Sequence, residues 1–295
     1  MLKRLTLFLA GLLLAVPVAI AEETAAPRVL FLCKSSGFQH SVIARLDDAP
    51  SLAETVMTKV VEGIGGTVQN TKDAKLINAE NLKNYDVVVF YTTGDLTEPG
   101  FDRMLPMAKE GPQELLDWIK AGGGFVGFHC ATDTFHGEGD TVTPYIEMIG
   151  GEFAGHGPQF FGEFTVVSPS HPTMAPFKSP YRVNDEWYFF KNLNTENIHV
   201  LALLDATYAY KKMKGKGDAA YAKPYPIAWC RAYGDGRVFY NAMGHREDVW
   251  ESEVFQQSIA SAVRWARGEG ELNAEPNYAE VMAGIESPAE EAPAE

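Results

Sequence analysis

Apolar positions along the chain fall into blocks that switch between two periods. Arg28-Val-Leu-Phe-Leu-Cys33 is a continuous apolar run of strand length, as a strand buried on both faces requires. From Ser51 the period becomes helical: Leu52, Val56, Val60 and Ile64 share one face. Ser51 and Glu54 supply a capping box, and Gly65-Gly66 ends the run. Asp86-Val-Val-Val-Phe-Tyr91 predicts a second buried strand. Pro112 opens another helix with Leu115, Leu116 and Ile119 turned inward, which stops at Gly122-Gly123-Gly124, and Phe125-Val-Gly-Phe128 follows as a third strand. Strand, helix, strand, helix, strand with short connections argues for a parallel sheet covered on both faces.

The second half reads differently. Phe160 to Val167 and Arg182 to Phe190 alternate weakly, and His199 to Asp205 is a clear strand. Pro226 to Ala232 and Arg237 to Asn241 flank Tyr233-Gly-Asp-Gly236, a hairpin signal. Trp250 to Arg267 predicts a closing amphipathic helix marked by Val254, Ile259, Val263 and Trp265. Neither a linker nor an internal repeat divides the halves. The expectation is one α/β domain over residues 27–268, a doubly wound, mostly parallel sheet with an added β-hairpin.

The two ends change the picture of where the protein works. Lys3 and Arg4 precede an apolar run from Leu5 to Ile20, and Ala19-Ile20-Ala21 places small residues where a signal peptidase reads. Residues 1–21 are therefore expected to be a cleaved signal peptide, giving a periplasmic or secreted protein with no membrane segment after cleavage. Residues 283–295 are assigned to an acidic disordered tail; Ser287 to Glu295 is Pro, Ala, Ser and Glu with nothing to bury. The formal charge of −14 and the lack of a basic stripe make nucleic acid a poor partner. Three cysteines in an exported chain leave at least one thiol unpaired, and Cys33 and Cys230, in strand-like runs, are expected as buried free thiols.

Ligands of an open parallel sheet bind beyond the carboxyl ends of its strands. Lys34-Ser-Ser-Gly-Phe-Gln-His40 follows the first strand and Thr92-Thr-Gly-Asp95 the second. His129-Cys-Ala-Thr-Asp133 follows the third, and Asn241-Ala-Met-Gly-His245 ends the hairpin. His40, His129 and His245 are thus expected on one edge. His156 lies in a Gly-rich turn, His171 precedes Pro172, and His136 and His199 have no special setting and are taken as structural or solvated. Asp185-Glu186-Trp187-Tyr188 sets carboxylates beside aromatics, the combination that holds sugar rings: acceptors for hydroxyls, flat surfaces for the apolar face.

Ala121-Gly-Gly-Gly-Phe-Val-Gly-Phe-His129, Gly150-Gly-Glu-Phe-Ala-Gly-His156, Ser170-His-Pro172, Asp185-Glu-Trp-Tyr188, Pro226-Ile-Ala-Trp-Cys-Arg231 and Tyr233 to His245 occur in the order expected of the ThuA-like (trehalose utilisation) family, which the chain resembles over about Pro27 to Gly268. The resemblance implies a flavodoxin-like, class I glutamine amidotransferase-like fold. In amidotransferases of that fold a nucleophilic Cys stands on the turn after a strand matching Phe125 to Phe128. Here that place falls to His129, with Cys130 one residue late, which argues against glutamine hydrolysis.

The resemblance also implies a substrate class: trehalose-like disaccharides, handled through oxidised (keto) sugars. The expectation is an enzyme that isomerises or hydrolyses such a small sugar, with His129, His245, Asp133 and Glu186 catalytic and His40, His156, Trp187 and Tyr188 binding substrate. Asp133 is placed to orient His129 or another group. Two uses of the histidines stay open: a divalent metal such as zinc on ligands from His40, His129, His156 and His245, or general acid–base catalysis without metal. No nucleotide cofactor is expected. The alternatives are a non-catalytic carbohydrate-binding or sensor protein and a thiol enzyme using Cys130. Nothing in the sequence sets the oligomeric state.

Overall fold

The computed structural model describes residues 25–47, 49–100, 103–139, 141–206 and 223–286. The signal-peptide assignment, residues 1–21, lies outside them. Five strands form the parallel half of a nine-stranded sheet: β1 (Arg28–Leu32), β2 (Thr67–Thr71), β3 (Val87–Phe90), β4 (Gly124–Phe128) and β11 (Gly236–Asn241). Their spatial order is β2-β1-β3-β4-β11, each parallel to its neighbour. Four antiparallel strands continue the sheet from β11: β10 (Tyr225–Tyr233), β9 (His199–Asp205), β6 (Phe160–Val166) and β7 (Tyr181–Asp185). A separate two-stranded sheet pairs β5 (Glu152–His156) with β8 (Tyr188–Lys191).

Helix α1 (Leu52–Gly63) begins at the expected capping box: Glu54 N donates to Ser51 Oγ, and Ser51 N to Glu54 Oε2 at 2.8 Å. α2 (Ala79–Leu82) and α3 (Gly111–Lys120) follow, the latter opened by Pro112 and burying Leu115, Leu116 and Ile119 as its pattern predicts. α4 (Pro144–Ile149) ends on Gly150 at φ +94°, a left-handed cap that favours glycine. The closing helix differs from expectation. It is two helices, α5 (Glu247–Glu251) and α6 (Glu253–Ala266), because Ser252 is extended and its hydroxyl caps α6 at Phe255 N. α1 packs with α6 and α3 with α4, so the parallel half is covered on both faces. α7 (Tyr278–Glu286) takes in the first four residues assigned to the tail; residues 287–295 lie outside the described ones. No described helix is long and apolar enough to cross a membrane.

The hairpin forms as read, with Tyr233 paired to Gly236 across the turn. The run read as one strand from Arg182 to Phe190 is broken after Asp185, and its halves join different sheets. That break carries Glu186 out of the ladder. Between the first two strand ends the backbones touch: Ser35 bridges Thr93, and a Cβ on Gly94 (φ +74°) would stand 2.5 Å from Gly37 N. Only glycine permits this approach, which seats the loop bearing His40.

His171 illustrates a histidine absorbed by the core. It is buried against Trp265, with Nδ1 on Thr173 Oγ1 at 2.8 Å and Nε2 on Cys230 Sγ at 3.5 Å. Burial, reinforced by His199 and Arg237, lowers its pKa to about 4. An unfolded histidine takes a proton near pH 6.5, so between there and pH 4 the unfolded state binds more protons and stability falls as pH drops. The expected loss from this residue at pH 5 is about 2 kcal/mol. Urea unfolding at pH 7 and pH 5 checks it: the drop should be smaller in His171→Asn than in the unaltered protein.

Candidate active site

Three strand ends and one strand break bring four functional side chains together. His40 caps a 3₁₀ turn (Ser41–Ile43) after β1, and that turn is tied to α5 by Ser41 Oγ donating to Glu247 Oε1 at 2.5 Å. His129 is the first residue after β4, at φ +43°. A non-glycine residue in that region is strained, and such strain concentrates where a side chain must be aimed. His245 follows Gly244, whose carbonyl accepts from Tyr91 Oη at 3.0 Å and from Trp250 Nε1 at 2.8 Å. Glu186 stands between β7 and β8. The His40, His129 and His245 rings meet edge to face, with centroids 5.0 to 5.3 Å apart, so the expected convergence on one edge of the sheet is what the fold produces.

One hydrogen bond fixes which nitrogen of His129 carries the lone pair. His129 Nδ1 lies 2.9 Å from Ala242 O, which can only accept, so Nδ1 bears the proton and Nε2 is the free acceptor. His129 Nε2 is 3.7 Å and His245 Nδ1 3.1 Å from Glu186 Oε2, but neither is aligned as a hydrogen bond. His40 Nδ1 is also without a partner, while its Nε2 faces Tyr188 Oη at 3.4 Å. Three buried ring nitrogens are thus left unsatisfied, at a typical cost of about 1–3 kcal/mol each. One ligand atom from each of His40, His129, Glu186 and His245 lies within 4.8 Å of the others, so this set could hold a metal ion.

Exposure rises outward: the His129 side chain is 0% exposed, Glu186 10%, His245 19% and His156 43%. His156 Nδ1 is 3.1 Å from Glu186 Oε1 and 2.9 Å from Gly157 O, so it donates and leaves Nε2 free on the open side. Phe38, exposed, sets its ring edge-on to His40 at 5.0 Å. Burial lowers His40 to about 2, with His129 and His245 adding to the effect, so it is neutral at any physiological pH. Burial would raise Glu186, but His129 and His245 beside it hold it well below the usual carboxylate range. Burial works against a charge on His245 too, and Glu186 outweighs it, raising that pKa.

The remaining expectations divide. Tyr188 is buried and backs His129 at 4.1 Å between centroids, so it is a wall of the pocket and not an open sugar platform. Trp187 lies outside the pocket: fully buried, it packs on Phe164 and donates from Nε1 to Phe160 O. Asp133 does not orient His129; it meets His136 Nε2 at 2.6 Å, and His136 Nδ1 lies 2.6 Å from the buried Glu152. His136, taken as structural or solvated, ties the turn after β4 to β5. His156 touches Glu186 without joining the ligand set. Cys130 is buried and its thiol pushed well up by burial, so the place after β4 offers no thiolate nucleophile. Cys33 and Cys230 are buried free thiols as expected.

Tyr91 was given no part in the sequence analysis, and Asp185 only that of a carboxylate beside aromatics. Asp185, buried, accepts from Gly244 N at 2.7 Å, Arg246 N at 3.3 Å and Glu186 N at 3.0 Å, so it holds both sides of His245 and the root of Glu186. Tyr91 stacks on His129 besides bonding Gly244 O. Tyr91 ends an apolar run immediately before a strand-end loop, and Asp185 adjoins Glu186; both positions were signals in plain view.

Comparisons with solved structures bear first on the fold. A ThuA-like protein from Bacteroides uniformis superposes with a TM-score of 0.63 at 21% identity, covering 87% of this chain and 98% of that one. A second ThuA-like protein, from Parabacteroides merdae, gives 0.61 at 15% identity over 82% and 90%. A cytoplasmic protein from Salmonella typhimurium gives 0.51 at 15% identity over 81% and 99%. These likenesses share the mostly parallel, helix-flanked architecture of the glutamine amidotransferase-like folds. No curated protein matches the sequence significantly. The family comparison is direct: residues 28–266 match the ThuA family, described as trehalose utilisation, which implies a role in the use of sugars. The chain belongs to the ThuA family.

Proposed function

We propose that the protein is an exported enzyme of sugar utilisation that isomerises or hydrolyses an oxidised (keto) sugar or disaccharide derivative at the site built on His40, His129, His156, Glu186 and His245. The observation that carries this reading is the convergence of four imidazoles on one carboxylate at the carboxyl edge of the parallel sheet. An imidazole beside a carboxylate can move protons at neutral pH, a part that His40, held neutral by burial, leaves to the others. Export is supported by the basic, apolar and small-residue succession of residues 1–21. An exported site has no assured supply of nucleotide cofactor, which fits chemistry done by side chains.

A ketone acidifies the C–H next to it. A base that takes that proton leaves an enediolate. Returning the proton to the neighbouring carbon isomerises the sugar; expelling the glycosidic oxygen and then adding water amounts to hydrolysis. His156 has the arrangement of the base: Nδ1–H held by Glu186 and Gly157 O, Nε2 open. The Glu186 carboxylate would stabilise the imidazolium that forms, as a triad acid does. His129 and His245, on the deep side, would face the sugar carbonyl.

Incubating the purified protein with a disaccharide panel and the matching keto derivatives tests the reading. Product from keto sugars and none from their parents is expected. Tight calorimetric binding without product, with or without added metal, would instead favour a carbohydrate-binding or sensor protein, a reading the burial of Cys130 also suits.

A further inference from the structure

We infer that His40 Nδ1, His129 Nε2, His245 Nδ1 and one oxygen of Glu186 are the ligands of a single divalent transition-metal ion, with zinc the first choice, and that Asp185 is the residue that positions them. The inference deepens the proposed reaction, and rests on it only for the use made of the ion.

The case starts from the three unpartnered ring nitrogens. Buried polar groups in folded proteins are paired, and an exception calls for a missing partner. Three exceptions here point into one space, which they share with a carboxylate. Glu186 cannot be that partner for all three, since it makes no aligned hydrogen bond with His129 or His245. A water would serve one or two of these nitrogens; a cation that takes a lone pair from each ring satisfies all three at once.

The outer bonds agree. A metal-bound histidine characteristically donates its other N–H to a carbonyl or a similar acceptor, fixing ring and tautomer. His129 donates Nδ1–H to Ala242 O, and His40 turns Nε2 to Tyr188 Oη. Three nitrogens and one oxygen exclude the oxygen-seeking Ca²⁺ and Mg²⁺ and suit zinc or its transition-metal neighbours. Ligands at about 2.1 Å from zinc stand roughly 3.4 Å apart, so the set, spread to 4.8 Å, closes by about 1 Å on binding. Bound there, the ion would act as a Lewis acid toward a sugar carbonyl.

Asp185 makes no contact with the space itself. Its carboxylate accepts the backbone N–H on each side of His245 and that of Glu186, so two of the four ligands take their positions from one buried side chain. An Asn of the same shape has one acceptor oxygen, and its amide N–H groups would oppose backbone donors. Loss of such supporting bonds typically weakens metal affinity about 10–100-fold.

The test is elemental analysis of the purified full chain, then chelator stripping and titration with Zn²⁺, Mn²⁺ and Ni²⁺ against a chromophoric indicator. About one equivalent of one ion is expected, lost in His129→Ala and retained in His156→Ala. Asp185→Asn should still take up one equivalent at saturation, with affinity 10–100-fold lower and a Co²⁺ absorption spectrum shifted from that of the unaltered protein. If His129→Ala does not fold, His245→Gln on the more open side gives the same reading. Less than a tenth of an equivalent together with a Kd above about 100 µM for all three ions overturns the site; loss of binding in His156→Ala as complete as in His129→Ala overturns the ligand assignment. Bound metal without keto-sugar turnover removes the proposed reaction and leaves the site; undiminished turnover by stripped protein leaves the reaction and overturns the use made of the ion in it.

Discussion

In the double variant His129→Ala/His245→Ala, kcat/KM for a keto-disaccharide is expected to fall at least about 10³-fold. Positioned proton transfer contributes about 10²–10⁴-fold, and both rings border the Glu186 carboxylate that holds the His156 base, so their removal disables one device and not two additive ones. Most of the loss should already be present in either single variant. His129→Ala also strips Ala242 O of its donor and Tyr188 of the ring packed against it, so a stability cost of about 1–3 kcal/mol accompanies it. The measurement therefore pairs initial rates with thermal unfolding, at a temperature where both proteins are fully folded. His199→Ala is the control, since His199 bonds Ser168 Oγ and Glu275 O well outside the cluster; its rate should stay within about 3-fold. Turnover that survives the double substitution would dismiss the assignment of these residues.

Trp250→Ala is expected to cost about 4 kcal/mol of folding stability, within the range for large aromatic truncations in cores. The indole is fully buried among Phe31, Tyr91, Phe128 and Phe255, which come from four different elements or loops, so no single side chain can relax into the void. With total stability of about 5–15 kcal/mol for a domain, that is a large fraction, visible as a fall in Tm of about 10 °C. Trp250→Phe separates the two jobs of this residue. It keeps most of the packing but loses the Nε1 bond to Gly244 O, so stability should recover in large part while kcat remains depressed, because the Gly244 carbonyl is then held by Tyr91 alone. Equal recovery of both quantities would mean that the bond has no part in placing His245.

These expectations show how unevenly the site was written in the sequence. The strand-end rule located His40, His129 and His245 because buried parallel strands announce themselves by continuous apolar runs, and whatever follows them must lie on the ligand edge. Glu186 was reachable as a carboxylate among aromatics, but Trp187 was misplaced with it. Weak alternation from Arg182 to Phe190 does not reveal that the chain leaves one sheet after Asp185 and enters another at Tyr188; only pairing of β8 with β5, over 30 residues earlier, decides that. β2 escaped notice for a related reason. Thr67-Val-Gln-Asn-Thr71 is a partly exposed edge strand whose polar side chains give no buried pattern. Ser252 divided a helix that periodicity read as continuous, since a capping serine and a tolerated interior serine look alike until the backbone is seen. Asp133, in the turn after β4, looked like a partner for His129, yet three-dimensional reach gave it His136 instead.

The order of strands has a consequence in time. β11 is the last strand among the described residues and slots between β4 and β10, and it is paired with β4 across more than a hundred residues of sequence. A chain emerging from its N-terminus delivers His40 and His129 early, but neither can find Glu186 or His245 until β11 closes the sheet. Such long-range closure is slow compared with local helix formation. The nascent chain therefore carries scattered imidazoles of low individual affinity, and the four-fold constellation comes into being in one late event. Whatever ion or substrate this pocket takes, it takes from the compartment in which folding finishes.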